Sequence, residues 1–232
     1  MSRADEIAAG LDLVEQRILR ACGDAGRPRA DVTLVVVTKF FPASDVRILA
    51  GLGVRDVGEN RHQEAEAKAA DCADLELRWH FIGGLQSNKA AAVAGYAHVV
   101  ESVDRLKLVD ALGRGAQRRS HEVDVLLQVS LDPPDVVGRS GADPADLAAL
   151  AAAVEAAPAL RLRGLMAVAP LGEDPATAFA RLADLHAGFV REHPGAPWLS
   201  AGMSGDLEHA IRAGATHVRV GSAVLGPRPS IQ

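Results

Sequence analysis

The chain has few cysteines and no long apolar run, and each shortage excludes a class of protein. Cys22 and Cys72 are isolated and match neither a disulfide framework nor the spacing of metal ligands, so a reduced cytoplasmic protein without a metal site is expected. No stretch reaches the roughly 18 uninterrupted apolar residues that a membrane-spanning helix needs. Residues 1–23 are amphipathic and include acidic residues, without the apolar core of a signal peptide.

The chain also lacks an excess of positive charge. The net charge is −5 and no basic stripe is present, which argues against nucleic acid as a partner. The chain has 232 residues, 48% of them hydrophobic, and it contains no linker or low-complexity tract. We therefore expect residues 1–232 to form one soluble domain, monomeric and not bound to a membrane.

Strand-like and helix-like segments alternate along the chain. An N-terminal helix is predicted over Ala4–Ala21. Eight apolar strand candidates follow, at Leu34–Thr38, Val54–Gly58, Arg78–Gly83, His98–Ser102, Val123–Val129, Arg161–Val168, Trp198–Met203 and His217–Val220. Eight strands separated by helix-length segments predict an α/β fold, a single (β/α)8 TIM barrel with an extra N-terminal helix. A doubly wound open sheet is the alternative, although such sheets usually have fewer strands.

Unusual residues cluster where the predicted strands end. Lys39 follows the first strand in "LVVVTKFFP", and the sequences "GEN", "HFIGG", "GMSGD" and "RVGS" lie on or after strands two, three, seven and eight. The carboxyl ends of the strands meet at one rim of a TIM barrel, where such enzymes carry out their chemistry. The sequence therefore predicts a site at this rim.

Strands seven and eight carry the features of a phosphate site. Ser204 is placed to cap the helix after strand seven, and Gly221 and Ser222 stand at the end of strand eight. The loops after these two strands are where TIM barrels most often bind phosphate. Each piece alone is compatible with an ordinary helix cap or turn, but together they favour a phosphate cup.

Arg219 stands inside the last strand. Strand alternation directs His217 and Arg219 into the barrel and the neighbouring valines toward the helices. A buried guanidinium needs an acceptor, for which Glu59 is one candidate and a ligand above the phosphate cup is another.

Lys39 lies among apolar neighbours and close to Arg219 in this arrangement. Desolvation and like charge both lower the pKa of an amine, and a neutral amine forms Schiff bases with carbonyls. A Schiff-base lysine beside a phosphate cup fits pyridoxal 5′-phosphate (PLP). A sugar-phosphate aldolase uses the same two features, and a solvated lysine at a strand end is the simplest alternative.

The motifs resemble one known family. "VVVTKFFP", "DVGENRHQEAEAK", "WHFIGGLQSNK", "ESVDR", "GLMAV" and "LSAGMSGDLEHAIRAGATHVRVGSAVLG" are similar to the pyridoxal phosphate homeostasis proteins, related to the N-terminal domain of alanine racemase. The resemblance implies that Lys39 carries PLP as a Schiff base. It also implies that Ser204, Gly221 and Ser222 hold the phosphate, that Asn60 and Met203 line the pocket, and that Arg219 faces the pyridine nitrogen.

A carrier and an enzyme remain to be distinguished. A racemase needs a base on each face of the substrate, and the racemases of this fold take the second from a tyrosine of another domain. The one tyrosine here, Tyr96, is predicted away from the rim, and a second domain is not expected. Arginine at the pyridine nitrogen makes a weaker electron sink than an acid. We expect PLP buffering or transfer to apo-enzymes without robust catalysis; a weak racemase or an aldolase is the alternative.

Several features have structural interpretations. His80 is expected to be a hydrogen-bonded core histidine, and Glu59 to be the partner of a cation. The segment "LQSNK" predicts a helix start, and "EAEAK" (residues 64–68) predicts a solvated helix face. Arg61 replaces the aromatic residue usual after "GEN" in the family it resembles. The loop 131–144 carries unexpected prolines, so no role is assigned to it.

Overall fold

The computed structural model describes residues 2–119, 122–133 and 140–227. Within these ranges the helices are α1 (Arg3–Asp24), α2 (Ala43–Gly51), α3 (His62–Asp71), α4 (Ser87–Tyr96), α5 (Leu106–Ala116), α6 (Leu147–Glu155), α7 (Pro175–Glu192), α8 (Leu207–Arg212) and α9 (Ser222–Leu225). The strands are β1 (Thr33–Val37), β2 (Asp56–Glu59), β3 (Arg78–Phe81), β4 (Val99–Val103), β5 (Val123–Gln128), β6 (Leu160–Met166), β7 (Trp198–Ser200) and β8 (His217–Val220).

The strands form a closed barrel in sequence order. Each strand pairs in parallel with its neighbours along the chain, and β1 closes the barrel against β8, with Val35 opposite Arg219 and Val36 opposite Val220. The predicted TIM barrel is confirmed, and each predicted strand overlaps an observed one. The doubly wound alternative is wrong, because an open sheet would leave β1 and β8 unpaired.

Helices cover the outer face of the barrel. Valines and leucines of the strands pack outward against buried helix residues in two large apolar clusters, one of them around Val36, Val218 and the α1 residue Ile18. Helix α1 begins with a capping box between Ser2 and Asp5. It packs so closely on α9 that a Cβ at Gly10 would clash with the carbonyl of Val224.

The barrel interior combines a small apolar layer with buried polar side chains. Val99, Leu126 and Met166 form a separate cluster on the inward face of their strands. The buried polar residues of this interior include His80, Glu101, Ser200, His217 and Arg219. Alternation along β8 is therefore as predicted, with Arg219 inside and Val218 and Val220 facing the helices.

None of the described helices is both long enough and apolar enough to cross a bilayer. The loop 131–144, to which no role was assigned, is described only in part, because residues 134–139 lie outside the described ranges. Of the described part, the Ser140 carbonyl accepts a hydrogen bond from Gln128 Nε2. That contact attaches one end of the loop to the carboxyl end of β5.

Candidate functional site

A cavity of about 300 Å³ lies at the carboxyl ends of β1, β7 and β8. The predicted site residues in its lining are Lys39, Met203, Ser204, Arg219, Gly221 and Ser222. Sequence reasoning missed the other lining residues, which are Val37, Phe40, Phe41, Ile82, Gly205 and Gly226. Most of these are apolar, and the aromatic ones could have been noticed because they directly follow Lys39.

Lys39 is carried by a tight turn immediately after β1. The Phe41 N–H donates to the Thr38 carbonyl at 3.0 Å, so Lys39 and Phe40 are the two central residues of the turn. Phe40 has a φ of +72°, the sign that the third position of a type II turn requires. For an aromatic residue this conformation costs on the order of 1–3 kcal/mol. The Phe41 ring, 5% exposed, anchors the turn in the core.

A buried ion network supports this turn, and we name it the lysine-side network: Lys68, Glu59, Glu64 and Thr38. Lys68 Nζ donates to Glu59 Oε1 at 2.7 Å, to Glu64 Oε1 at 2.8 Å and to the Thr38 carbonyl at 2.8 Å. Thr38 Oγ1 donates to Glu59 Oε1 at 2.7 Å. Lys68 is only 6% exposed, so three acceptors surround a cation that water barely reaches.

Two expectations about these residues are wrong and one is confirmed. The "EAEAK" segment is not a solvated helix face, because Lys68 turns inward to meet Glu59. Glu59 is the partner of a cation, as expected, but that cation is Lys68 and not Arg219. Burial raises the pKa of Glu59, an effect that Lys68 and Thr38 oppose. Glu59 Oε2 has no hydrogen-bond partner among the described residues.

Arg219 belongs to a second network, the arginine-side network: Arg219, Ser200, Glu101, His80 and Asp56. Arg219 Nη1 donates to Ser200 Oγ at 2.6 Å, and Nη2 donates to the Ala167 carbonyl at 2.9 Å. Ser200 Oγ in turn donates to Glu101 Oε2 at 2.6 Å. Glu101 Oε2 lies 3.8 Å from Arg219 Nη1. The carboxylate that balances the positive charge of Arg219 is therefore Glu101, a β4 residue buried in the barrel interior.

His80 closes the arginine-side network as a core histidine, as expected. Its Nδ1 lies 2.7 Å from Glu101 Oε1 and its Nε2 2.9 Å from Asp56 Oδ1. Burial lowers the pKa of His80, but the two carboxylates outweigh it and the net shift is upward. Burial alone would raise the pKa of Glu101; His80, followed by Arg219 and Ser200, brings it down to about 2. The network is a chain of alternating charges from the barrel interior to the cavity.

The residues of the predicted phosphate cup line one cavity, although Ser204 has a different local role from the one expected. Ser204 does not cap the following helix, because Asp206 occupies the N-cap position of α8. Asp206 Oδ1 instead accepts from the Met203 N–H at 2.6 Å, which folds the loop over the cavity. A Cβ at Gly221 would lie 3.1 Å from the Val37 carbonyl, so glycine there lets β8 approach β1. Ser204, in the loop after β7, and Ser222, at the start of α9 after β8, both line the cavity, and their strands are adjacent in the barrel.

Asn60 is the predicted site residue that the cavity lining does not include. Its backbone packs directly against Gly83, where a Cβ would clash with the Asn60 carbonyl. Its Oδ1 is buried and has no partner among the described residues. Arg61, the residue that departs from the usual aromatic, places its guanidinium 5.2 Å from the centre of the Phe40 ring. Arg61 therefore contacts the turn that carries Lys39.

Tyr96 lies away from the rim, as predicted. It lines an open groove of about 590 Å³ between α3 and α4, together with residues that precede β3 and β4, such as Leu77 and His98. This groove is thus at the amino ends of the strands and contains none of the predicted site residues. Burial raises the pKa of Tyr96, so its hydroxyl stays protonated and cannot accept a proton in this position.

The cavity combines groups that suit one kind of small molecule. It holds a lysine amine, two serine hydroxyls beside small residues, and a buried guanidinium, with Phe40, Phe41 and Ile82 as apolar walls. A volume of about 300 Å³ lies within the usual range for a small-molecule site. An aromatic aldehyde with a phosphate group would match these groups: amine to aldehyde, hydroxyls to phosphate, guanidinium to a ring acceptor. PLP is such a molecule.

Comparison with curated proteins gives close relatives over nearly the whole chain. Residues 24–229 match the family model described as "Alanine racemase, N-terminal domain". A pyridoxal phosphate homeostasis protein of Pseudomonas aeruginosa is 46% identical, covering 96% of this chain and 96% of the relative. The protein of that name from Mycobacterium leprae is 41% identical, covering 97% and 94%.

Solved structures agree with the sequence relatives. PipY of Synechococcus elongatus PCC7942, solved with PLP bound, has a TM-score of 0.79 and 35% identity, covering 97% of this chain and 100% of that one. Alanine racemase of Corynebacterium glutamicum has a TM-score of 0.67 and 17% identity, covering 99% and 63%; this likeness concerns the fold alone. By the family match and these relatives, the chain belongs to the pyridoxal phosphate homeostasis proteins, with the fold of the alanine racemase N-terminal domain.

Proposed function

We propose that this protein binds PLP as a Schiff base on Lys39 and acts in PLP homeostasis, holding the cofactor and passing it to apo-enzymes. The observation that carries the proposal is the cavity in which Lys39, Arg219, Ser204 and Ser222 meet at the carboxyl ends of β1, β7 and β8. PLP supplies an aldehyde that condenses with an amine and releases water. The relatives named as homeostasis proteins, and PipY with PLP bound, support this choice of cofactor.

The other cavity residues fit the remaining parts of PLP. Ser204 and Ser222 supply hydroxyl donors for the phosphate, and the small residues Gly205 and Gly221 leave room beside them. Arg219 supplies a guanidinium that donates to the pyridine nitrogen and stays protonated. Met203, 41% exposed, lies at the mouth of the cavity. Asn60 remains a proposed pocket residue, and its buried amide oxygen has no partner among the described residues.

A holding role follows from what surrounds the amine. Proton abstraction from an amino acid needs a second base opposite the lysine, and the tyrosine of this chain is in the groove at the other end of the barrel. Arg219 cannot protonate the ring nitrogen, which weakens the electron sink that carbanion chemistry requires. The two serines and the exposed Met203 leave the cofactor near solvent, a position that suits its release. A monomeric, cytoplasmic, single-domain protein is part of the same proposal.

Two assays on one preparation test this function. Protein loaded with PLP is mixed with an apo-enzyme that requires PLP, and the recovered activity is followed against an equal amount of free PLP. The same loaded protein is given alanine in deuterated water, and α-proton exchange is followed by NMR. We expect transfer to the apo-enzyme and no exchange above that of free PLP. Rapid exchange at the α-carbon would contradict the holding role and favour a racemase-like enzyme.

A further inference from the structure

We propose that Lys68 and Glu64 are positioning residues for Lys39: together they hold the turn after β1 in the left-handed conformation that directs Lys39 to the cavity. This inference rests on the proposed function, since it names the residues that prepare Lys39 for reaction with the aldehyde of PLP. Neither side chain lines the cavity, so both act through the turn.

Lys68 fixes the residue before Lys39. Its Nζ donates to the Thr38 carbonyl at 2.8 Å. The same ammonium binds Glu59 Oε1, which accepts from Thr38 Oγ1 at 2.7 Å. Both the backbone and the side chain of Thr38 are thus tied to one cation. Because Thr38 is fully buried, these contacts exchange little with water.

Glu64 fixes the residue after Lys39. Its Oε1 accepts from the Phe40 N–H at 2.6 Å and from Lys68 Nζ at 2.8 Å. A hydrogen bond from a backbone amide to a carboxylate is among the stronger kinds in proteins. Residues 38 and 40 are therefore both anchored to α3, the first by Lys68 and the second by Glu64, with Lys39 between them.

The backbone at Phe40 gives an independent reason to expect such anchoring. Its φ of +72° is the one positive value among the described non-glycine residues, and a side chain as large as phenylalanine rarely adopts it. Strained conformations of this kind persist where the surroundings over-determine them, and they cluster at functional sites. Without Lys68 and Glu64 the turn is free to relax, and the Lys39 amine loses its fixed approach to the cavity.

The anchoring acts on one half of the site. The residues proposed to bind the phosphate are Ser204, in the loop after β7, and Ser222, at the start of α9. No member of the lysine-side network bonds to either of these segments in the described contacts. Capture by Lys39 should depend on the network, whereas phosphate binding should not. A general structural defect would weaken both alike.

Two ligands distinguish a loss of Lys39 positioning from a general structural defect. PLP carries the aldehyde, and its capture is measured as the rate of borohydride-trapped adduct on Lys39. Pyridoxine 5′-phosphate has the same ring and phosphate but no aldehyde, and its affinity is measured by calorimetry. The variants are Lys68→Met and Glu64→Ala. Glu66→Ala is the matched control, since Glu66 lies on the same helix and its side chain is 59% exposed.

We expect capture of PLP to slow about tenfold or more in both variants, with pyridoxine 5′-phosphate affinity within about twofold of the unmodified protein. The control should match the unmodified protein in both measurements. Capture at the unmodified rate, or an equal loss for the two ligands, would overturn the inference. Glu64 is only partly buried, with a side chain 25% exposed, so Glu64→Ala gives the test even where Lys68→Met does not fold.

A structural readout keeps this inference separate from the proposed function. In a crystal structure of Glu64→Ala without ligand, Phe40 should move to a negative φ. Such a change supports the positioning role even if the unmodified protein traps no PLP on Lys39, a result that would refute the proposed function alone. A Phe40 that keeps its positive φ in Glu64→Ala would refute the positioning role, whatever the protein binds.

Discussion

Two buried networks flank the cavity, and they stabilise their charges differently. In the arginine-side network both oxygens of Glu101 are hydrogen-bonded and its pKa falls to about 2. In the lysine-side network one oxygen of Glu59 has no partner within the described part of the chain, and the pKa of Glu59 is raised. The first network fills the barrel interior with matched charges, and the second shapes a short backbone turn. Paired charges thus stabilise the barrel on the Arg219 side of the cavity. On the other side, paired charges position the amine of Lys39.

Removing the charge of Glu101 should have the largest effect on stability. Glu101→Gln leaves the Arg219 and His80 cations without their shared carboxylate. Breaking a buried ion pair in this way typically costs about 3–5 kcal/mol. Urea unfolding at neutral pH measures the loss, with the exposed Glu66→Gln as the control. A loss below 1 kcal/mol would mean that the arginine-side network does not support the barrel.

The pH dependence of stability should also differ between Glu101 in the arginine-side network and Glu59 in the lysine-side network. The pKa of Glu101 is about 2 in the folded chain against an ordinary 4.5, so its contribution is fully present above pH 4.5 and is lost as pH falls toward 2. A difference of this size corresponds to about 3 kcal/mol. The pKa of Glu59 is raised in the folded chain. Its effect on stability has the opposite sign, because the free energy of unfolding falls as pH rises through that pKa.

Unfolding free energies measured between pH 6 and pH 2 test this expectation. The unmodified protein should lose stability steeply in acid, and Glu101→Gln should flatten the curve. An unchanged acid limb in Glu101→Gln would assign the acid sensitivity to other carboxylates, such as Asp56, whose pKa is also lowered.

Ser204→Ala and Ser222→Ala should each have a moderate effect on ligand affinity. A hydrogen bond to a charged group contributes about 1.5–3 kcal/mol, and the proposed bonds go to phosphate oxygens. PLP affinity should therefore fall in each variant, while affinity for pyridoxal, which lacks the phosphate, should stay. Ser44→Ala, on the exposed face of α2, is the control. Equal losses for PLP and pyridoxal would place the phosphate elsewhere.

Arg61→Ala should have the smallest effect. Arg61 lies over the Phe40 ring at 5.2 Å and is exposed, and a cation–π contact at an exposed position contributes about 0.5–1 kcal/mol. Thermal unfolding should shift by a few degrees at most, and PLP capture should stay close to that of the unmodified protein. A loss as large as that of Lys68→Met would show that the surface contact, and not the buried network, holds the turn.

The fold was predictable because its signals are local and repeated. The end of β1 is a short apolar run buried on both faces, and the helices between strands have apolar faces, so pattern alone gives the order of elements. The site was predictable at Lys39, Arg219 and Ser222 because they interrupt or end such runs. The cavity lining includes all three.

The supporting residues were not predictable, because their partners are distant in sequence. Ser200 and Glu101 are 99 residues apart yet share a hydrogen bond, and only barrel closure brings them together. Glu64 and Lys68 read as a solvated pair four residues apart, since nothing local marks that helix face as buried. The positive φ of Phe40 has no sequence signal either, because glycine is the residue usually found there.

The central claim is that PLP binds to this chain through Lys39. Protein incubated with PLP is reduced with borohydride and digested, and the modified peptide is located by mass spectrometry, with Lys39→Ala treated in parallel. We predict one stoichiometric adduct on the peptide that contains Lys39, and none at that level in Lys39→Ala. An adduct of equal yield on another lysine, or an unchanged yield in Lys39→Ala, would contradict the account.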